Sequence, residues 1–261
     1  MIELVTDERA GRVRASGAPS WARLIAVFGG AAGTVALLLA AARALAPVAG
    51  PAAGVASIVA GALAILLVGS LAEWVVHGRL MHTRTRLPVL ALAYDLHHRA
   101  HHWIHYRPDA YLKDRVTYVG VLPPRPKRAT REPVAALTAI VGQALFYAVF
   151  ALPLSAGAWL VTANAAFTAT FVAGATTIIV LAIHLHDSIH CPGHSRLERA
   201  RWFRWLDRHH YVHHVDTRAN VNFLLPLGDL LLGTLRRELS AAELERWPTH
   251  EDARAVVHPA N

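Results

Sequence analysis

The chain is poor in cysteine and in charge. It has 261 residues but one cysteine, Cys191, and two methionines. A single cysteine excludes an intrachain disulfide framework and a cysteine-ligated zinc ribbon. Charged residues make up 17% of the chain against 54% hydrophobic ones, whereas a soluble domain carries about 25% charged residues. That balance excludes a disordered chain and argues against a plain soluble globule. Charge is missing altogether from residues 24–42, 44–72 and 133–186.

A membrane-crossing helix needs about 20 mostly apolar residues. The charge-free stretches supply four such segments. Ala46-Pro47 and Gly50-Pro51 divide the first two into spans near 22–45 and 53–76. Leu152-Pro153-Leu154-Ser155-Ala156-Gly157 divides the third stretch into spans near 133–152 and 158–184. The expected fold is therefore all-α and integral to a membrane, with four transmembrane helices in two hairpins and a cytoplasmic helical cap. The membrane domain covers 22–235, between an N-terminal tail (1–21) and a polar C-terminal tail (236–261). The polar Thr6-Asp7-Glu8-Arg9 start and the long first apolar stretch do not match a cleaved signal peptide.

Basic residues set the expected orientation. Loop 77–132 holds eleven Lys and Arg against four acids, region 184–261 holds ten of each, and turns 46–52 and 153–157 hold none. The positive-inside rule puts both termini, the loop and the C-terminal region in the cytoplasm. A pI near 10.3 suits an anionic leaflet. Nucleic-acid binding is disfavoured, because the basic residues gather at membrane ends rather than on one soluble module.

Histidine is what the chain has in excess, with seventeen residues. Fifteen fall in four groups at the cytoplasmic ends of spans two and four and in the segments beyond. His250 and His258 stand apart. The groups lie around His77-Gly78-Arg79-Leu80-Met81-His82, Asp95-Leu96-His97-His98-Arg99-Ala100-His101-His102, His184-Leu185-His186-Asp187-Ser188-Ile189-His190 and Asp207-Arg208-His209-His210-Tyr211-Val212-His213-His214.

Residues three and four apart share a helix face. His98, His101 and His102 project together on that basis, as do His210, His213 and His214, and His186 pairs with His190. His77 and His82 are five apart, about 140° round an ideal α-helix, and fit only if the helix loosens near Gly78 or the two serve different metals. Imidazole suits iron, zinc, copper and nickel. Ten such histidines are too many for one ion, and two metals with about five ligands each is the natural count. Ser195 and Glu198 form a capping-box pattern ahead of the fourth group. Beyond it, Arg199, Arg201, Arg204 and Arg208 alternate with Trp202, Phe203 and Trp205, a mix that an interfacial and a solvated helix share. Asn164 and Gln143 inside the spans read as interhelical hydrogen-bond groups ahead of a substrate slot.

The pattern His77-x4-His82, His98-x2-His101-His102, His186-x3-His190 and His210-x2-His213-His214 resembles the fatty acid hydroxylase superfamily, the histidine-rich membrane oxygenases that include sterol desaturases and sphingolipid hydroxylases. The later run His213-His214-x3-Arg218-x-Asn220, then Pro226-x2-Asp229-x3-Gly233-Thr234, is similar to that family's closing segment. The resemblance covers roughly residues 70–235. It implies a non-haem centre of two iron ions, with zinc as a substitute occupant, that uses O2 to hydroxylate or desaturate a lipid. It implies as ligands His77, His82, His98, His101, His102, His186, His190, His210, His213 and His214, with no catalytic residue beyond them. His97, His209, His184, His105 and His194 fall off the motif positions. Asp187, His97, His209 and Asn220 are candidates for orienting the ligands.

Two departures stand out. Asp187-Ser188-Ile189 occupies a stretch where the family's hydroxylases carry bulkier or aromatic residues, and no cytochrome b5 domain is present. The implied partners are thus a lipid substrate, O2, the membrane and a separate electron donor of ferredoxin or cytochrome b5 type with its reductase. The Ala- and Arg-rich composition points to a bacterial inner membrane. The competing class is a non-redox membrane zinc protein, a hydrolase or metal carrier. The zincin His-Glu-x-x-His pattern is missing, and a carrier places its ligands at mid-membrane.

The orientation has a direct check. A topology reporter fused after Pro51 should report the side opposite to one in loop 77–132. The same compartment for both would overturn the hairpin.

Overall fold

The computed structural model describes residues 18–105, 151–190 and 196–239. They form helices and connecting turns, with no strand among the described residues. In chain order these are α1 (Trp21–Leu45), α2 (Pro51–Val75) running on as a π-helical turn (Val76–Met81), and α3 (Pro88–Tyr94) running on as a π-helical stretch (Asp95–His105). Then come α4 (Leu152–Thr162), α5 (Ala165–His190), a 3-10 turn (Arg196–Arg199), α6 (Arg201–Val215) and α7 (Leu227–Leu232).

Among the described residues three helices are long and apolar enough to cross a membrane: Trp21–Leu45, Pro51–Met81 and Ala165–His190. They correspond to the first, second and fourth expected spans. The span expected at 133–152, with Gln143, lies outside the described residues but for its last two positions. The turn expected at 153–157 is helical instead. Pro153 sits in the first turn of α4, where its missing N–H is no loss. The break falls ten residues after Pro153, at Ala163, which adopts a left-handed φ of 48°, and at Asn164. The segment behind Ser195 opens as the 3-10 turn Arg196–Arg199 before the α-helix. Ser195 lies outside the described residues, and α6 begins at Arg201 behind Ala200, with no side-chain cap.

Chain contacts divide the protein into two compact units, 20–72 with 126–187, and 1–19 with 73–125 and 188–261. The first is an apolar helical unit whose core is built from small residues, Ala42, Ala60, Ala64, Ala158 and Ala175, around Ile65, Phe167 and Phe171. A Cβ on Gly61 would stand 2.7 Å from the Phe167 carbonyl oxygen, and one on Gly174 would stand 2.7 Å from Ile65 Cγ2. Helices that meet inside lipid gain nothing by burying Leu against Leu, so close backbone approach supplies the packing. The outward faces are apolar, with Leu37 at 73% and Leu160 at 78% exposure. In water that surface would cost about 25 cal/mol per Å²; in lipid it is matched.

Asn164 closes this unit. Its Oδ1 accepts from Phe167 N at 3.1 Å, capping α5. Its Nδ2 donates to the Ala42 carbonyl at 2.7 Å and to Ser57 Oγ at 2.9 Å. One side chain thus ties α1 and α2 to the α4–α5 break, the hydrogen-bonding role read from the sequence. Nearby, Arg43 donates to the Val161 carbonyl at the end of α4, where a cation also meets the negative end of the helix dipole.

An N-cap contributes about 1 kcal/mol and an interhelical hydrogen bond in a membrane about 0.6 kcal/mol. Asn164→Ala should therefore lower stability by about 2 kcal/mol, read from unfolding equilibria in mixed micelles. An unchanged midpoint would mean that the three bonds are replaced on truncation.

Candidate metal centre

The second unit contains most of the grouped histidines. His77 lies in the π-helical turn at the end of α2, and His82 follows it directly. A π-helix bonds i to i+5, so residues five apart come to one face, and the misfit of this pair in an α-helix disappears. Gly78 within the turn makes room for the chain beyond α6, since a Cβ there would meet Val221 Cγ1 at 2.6 Å.

The same geometry changes the register of the second group. Asp95–His105 is π-helical, so His97 and His102 share a face. Their Nε2 atoms are 3.1 Å apart, and His97 Nε2 is 2.9 Å from His77 Nε2. Nitrogens of His77, His82, His97, His102 and His213 all lie within 4.8 Å of one another. His98, the residue chosen on α-helical spacing, is not in that group. It stacks on Tyr94 and meets His82 through Nδ1 at 2.7 Å. The correction follows from the helix type: a spacing of three and four is right for an α-helix and off by one for a π-helix.

A second gathering forms around His101, His190 and His210, whose ligand atoms also lie within 4.8 Å of one another. His190 and His210 approach to 3.0 Å. His186 stands one turn before His190 on α5, on the same helix face. His101, His102 and His214 form a third close set, and His214 Nε2 is 3.1 Å from His210 Nε2. The adjacent residues His101 and His102 thus link the two gatherings. His210 rather than His209 faces this region, as the α-helical register of α6 requires.

The second nitrogens are held by a strap, residues 219–223, that follows α6. The Ala219 carbonyl accepts from His213 Nδ1 at 2.8 Å, and the Val221 carbonyl accepts from His77 Nδ1 at 2.5 Å. Each bond places the ring proton on Nδ1 and leaves the Nε2 lone pair facing the group. His209 Nε2 donates to the Asn222 carbonyl at 2.8 Å while its ring stacks on Trp205. It lies behind the gathering, as its motif position implied.

The strap is itself pinned. Asp229 accepts from Val221 N, Asn222 N and Thr234 Oγ1. Left unpaired, each of those buried N–H groups would cost about 1–3 kcal/mol. Glu73 accepts from Phe223 N at 2.9 Å and Asn222 Nδ2 at 3.1 Å, and Trp74 Nε1 donates to Thr234 Oγ1. Asn220 adopts a φ of 50°. Its Nδ2 donates to the His209 and Arg236 carbonyls, so it orients backbone rather than a ring. Arg236 pairs with Asp216 at 3.0 Å, and burial continues through Leu239, past the expected domain end at 235.

Asp187 follows His186 on α5, and His184 is exposed there. His105 ends the π-helical stretch. His194, His250 and His258 lie outside the described residues. Sequence reasoning missed Glu73, Asp229 and the three strap carbonyls as parts of the site. Asp229 carried a signal through its place in the closing segment, whereas a backbone carbonyl carries none.

Burial, reinforced by neighbouring imidazoles, holds His82, His97 and His102 well below the usual imidazole range. Burial pushes His209 down to about 4, against the Asn222 hydrogen bond, and pushes Asp229 up to about 6. At neutral pH these rings are neutral, which is the form that ligates metal.

The donor set fits a metal. Metal–imidazole bonds are about 2.0–2.1 Å long, so two ligands at a right angle stand about 2.9 Å apart, close to the nitrogen separations seen. His97 Nε2 has at most one proton for its two partners, and His102 Nδ1 is buried without a hydrogen bond. A cation answers the convergence that protons alone do not. The gathered histidines can thus hold a metal ion. No protein-family model, curated protein or solved structure matches the chain.

Paired substitutions test the register. His97→Gln should lower metal content per chain. His98→Gln, acting through His82, should keep the stoichiometry in excess metal while weakening affinity about 10–100-fold. His209→Gln should keep both metal and stoichiometry. Loss of metal from His98→Gln but not from His97→Gln would restore the α-helical register.

Proposed function

We propose that the protein is an integral membrane non-haem diiron oxygenase, similar to the fatty acid hydroxylase superfamily, that hydroxylates or desaturates an aliphatic position of a lipid. The observation that carries this reading is the convergence of buried and half-buried imidazoles into two gatherings joined through His101 and His102. One gathering has five nitrogens, more than the four of a tetrahedral structural zinc site, and among the described residues both are built from imidazole. Five neutral donors suit a redox-active ion that keeps a position open for O2. The zinc hydrolase or carrier is the weaker reading for the same reason.

The ligands on this reading are His77, His82, His97, His101, His102, His186, His190, His210, His213 and His214, with His98 and His209 as their supports. Bound iron, supplied with two electrons from a separate ferredoxin or cytochrome b5 type donor, would use O2 to oxidise a C–H bond. The protein's part is to keep His82, His97 and His102 neutral by burial, to direct lone pairs through the strap carbonyls, and to exclude water by burying the ring-bearing face of α6 with Phe203 and Leu206. The membrane would be a bacterial inner membrane, with the histidines on its cytoplasmic side.

Iron analysis of the purified chain should give close to two ions. Lipid profiles of cells with and without the protein should differ by the mass of one added oxygen or two lost hydrogens. Protein that holds zinc after expression in iron-replete medium, and consumes no O2 with a chemical reductant, would overturn the oxygenase and favour the zinc protein.

A further inference from the structure

The segment 196–208 sorts its charges by sign. Arg196, Arg199, Arg201, Arg204 and Arg208 are all exposed, whereas its two acids, Glu198 and Asp207, are 7% and 1% exposed. Arg201, Arg204, Trp205 and Arg208 share one face of α6, at positions i, i+3, i+4 and i+7. Trp202 and Trp205 are each about half exposed, and Leu197 adds a further apolar side chain. The opposite face carries Phe203, Leu206, His210, His213 and His214, all buried. The outer face is thus purely cationic and studded with indoles, a composition that burying the histidines does not require.

We infer that this face rests on the headgroups of an anionic leaflet. Arginines meet lipid phosphates, and indole rings sit at the boundary between headgroup and acyl chain. The segment also begins six positions after His190, the last residue of a helix apolar enough to cross a membrane, so chain length keeps it within about 20 Å of that helix end. An acidic protein would complement the arginines, but it would not account for two exposed indoles among them. This inference is independent of which metal or reaction the histidines serve.

The test uses the full chain in nanodiscs containing lipids brominated near the headgroup, as phosphatidylglycerol or as phosphatidylcholine. Brominated chains quench nearby tryptophan. Quenching that Trp202→Phe and Trp205→Phe remove reports this face alone. Expected is at least about a tenfold preference for phosphatidylglycerol, given about fivefold per arginine at an anionic surface. Replacing Arg196, Arg199, Arg201 and Arg204 together with Gln should bring the preference to about one, while four Lys replacements should retain it. Metal content checks that these variants fold, and Arg204→Gln alone should give a partial loss. Equal quenching by the two lipids, or none attributable to Trp202 and Trp205, would overturn the inference. So would emission that responds to an added acidic protein and not to lipid composition.

Discussion

Histidine rings packed nitrogen to nitrogen are the constraint on which the second unit rests. Charged imidazoles at 3 Å would repel, and burial holds His82, His97 and His102 in the neutral form. Neutral rings still have two nitrogens to satisfy. The strap carbonyls of Ala219 and Val221 take one from His213 and His77, leaving the other to face inward. The strap can do this only because Asp229 and Glu73 hold its own N–H groups. A carboxylate two bonding layers from the rings therefore helps to decide which nitrogen is available for metal.

The π-helical segments serve the same constraint. Widening a helix costs hydrogen-bond quality, and such turns are uncommon outside functional sites. Here they bring His77 and His82, and His97 and His102, onto common faces. Gly78 lets the Val221 side chain approach where any other residue would collide. The backbone irregularity, the glycine and the strap form one device.

The apolar unit follows different physics. Its helices meet through alanine and glycine as well as Ile65, Phe167 and Phe171, and a polar keystone, Asn164, satisfies the backbone at the point where the helix breaks. Polar groups in an apolar surrounding need internal partners, so a single amide can define where two helices end and begin.

Charge-free runs and histidine spacing were legible in the chain alone, because lipid thickness sets helix length and metal binding demands clustered imidazoles whatever the details of packing. The three long helices of the described residues, the grouping of most of the histidines and the hydrogen-bonding role of Asn164 follow from that. The break at Ala163 did not, because Pro153 and Gly157 look like breakers yet are tolerated where they stand. Nor did the exchange of His97 for His98. Three-and-four spacing presumes an α-helix, whereas the segment is π-helical where its rings meet His77, His82 and His213, and that turns the side chains along it. The strap carbonyls were invisible for a simpler reason: every residue has one, and only tertiary structure decides which of them faces a histidine.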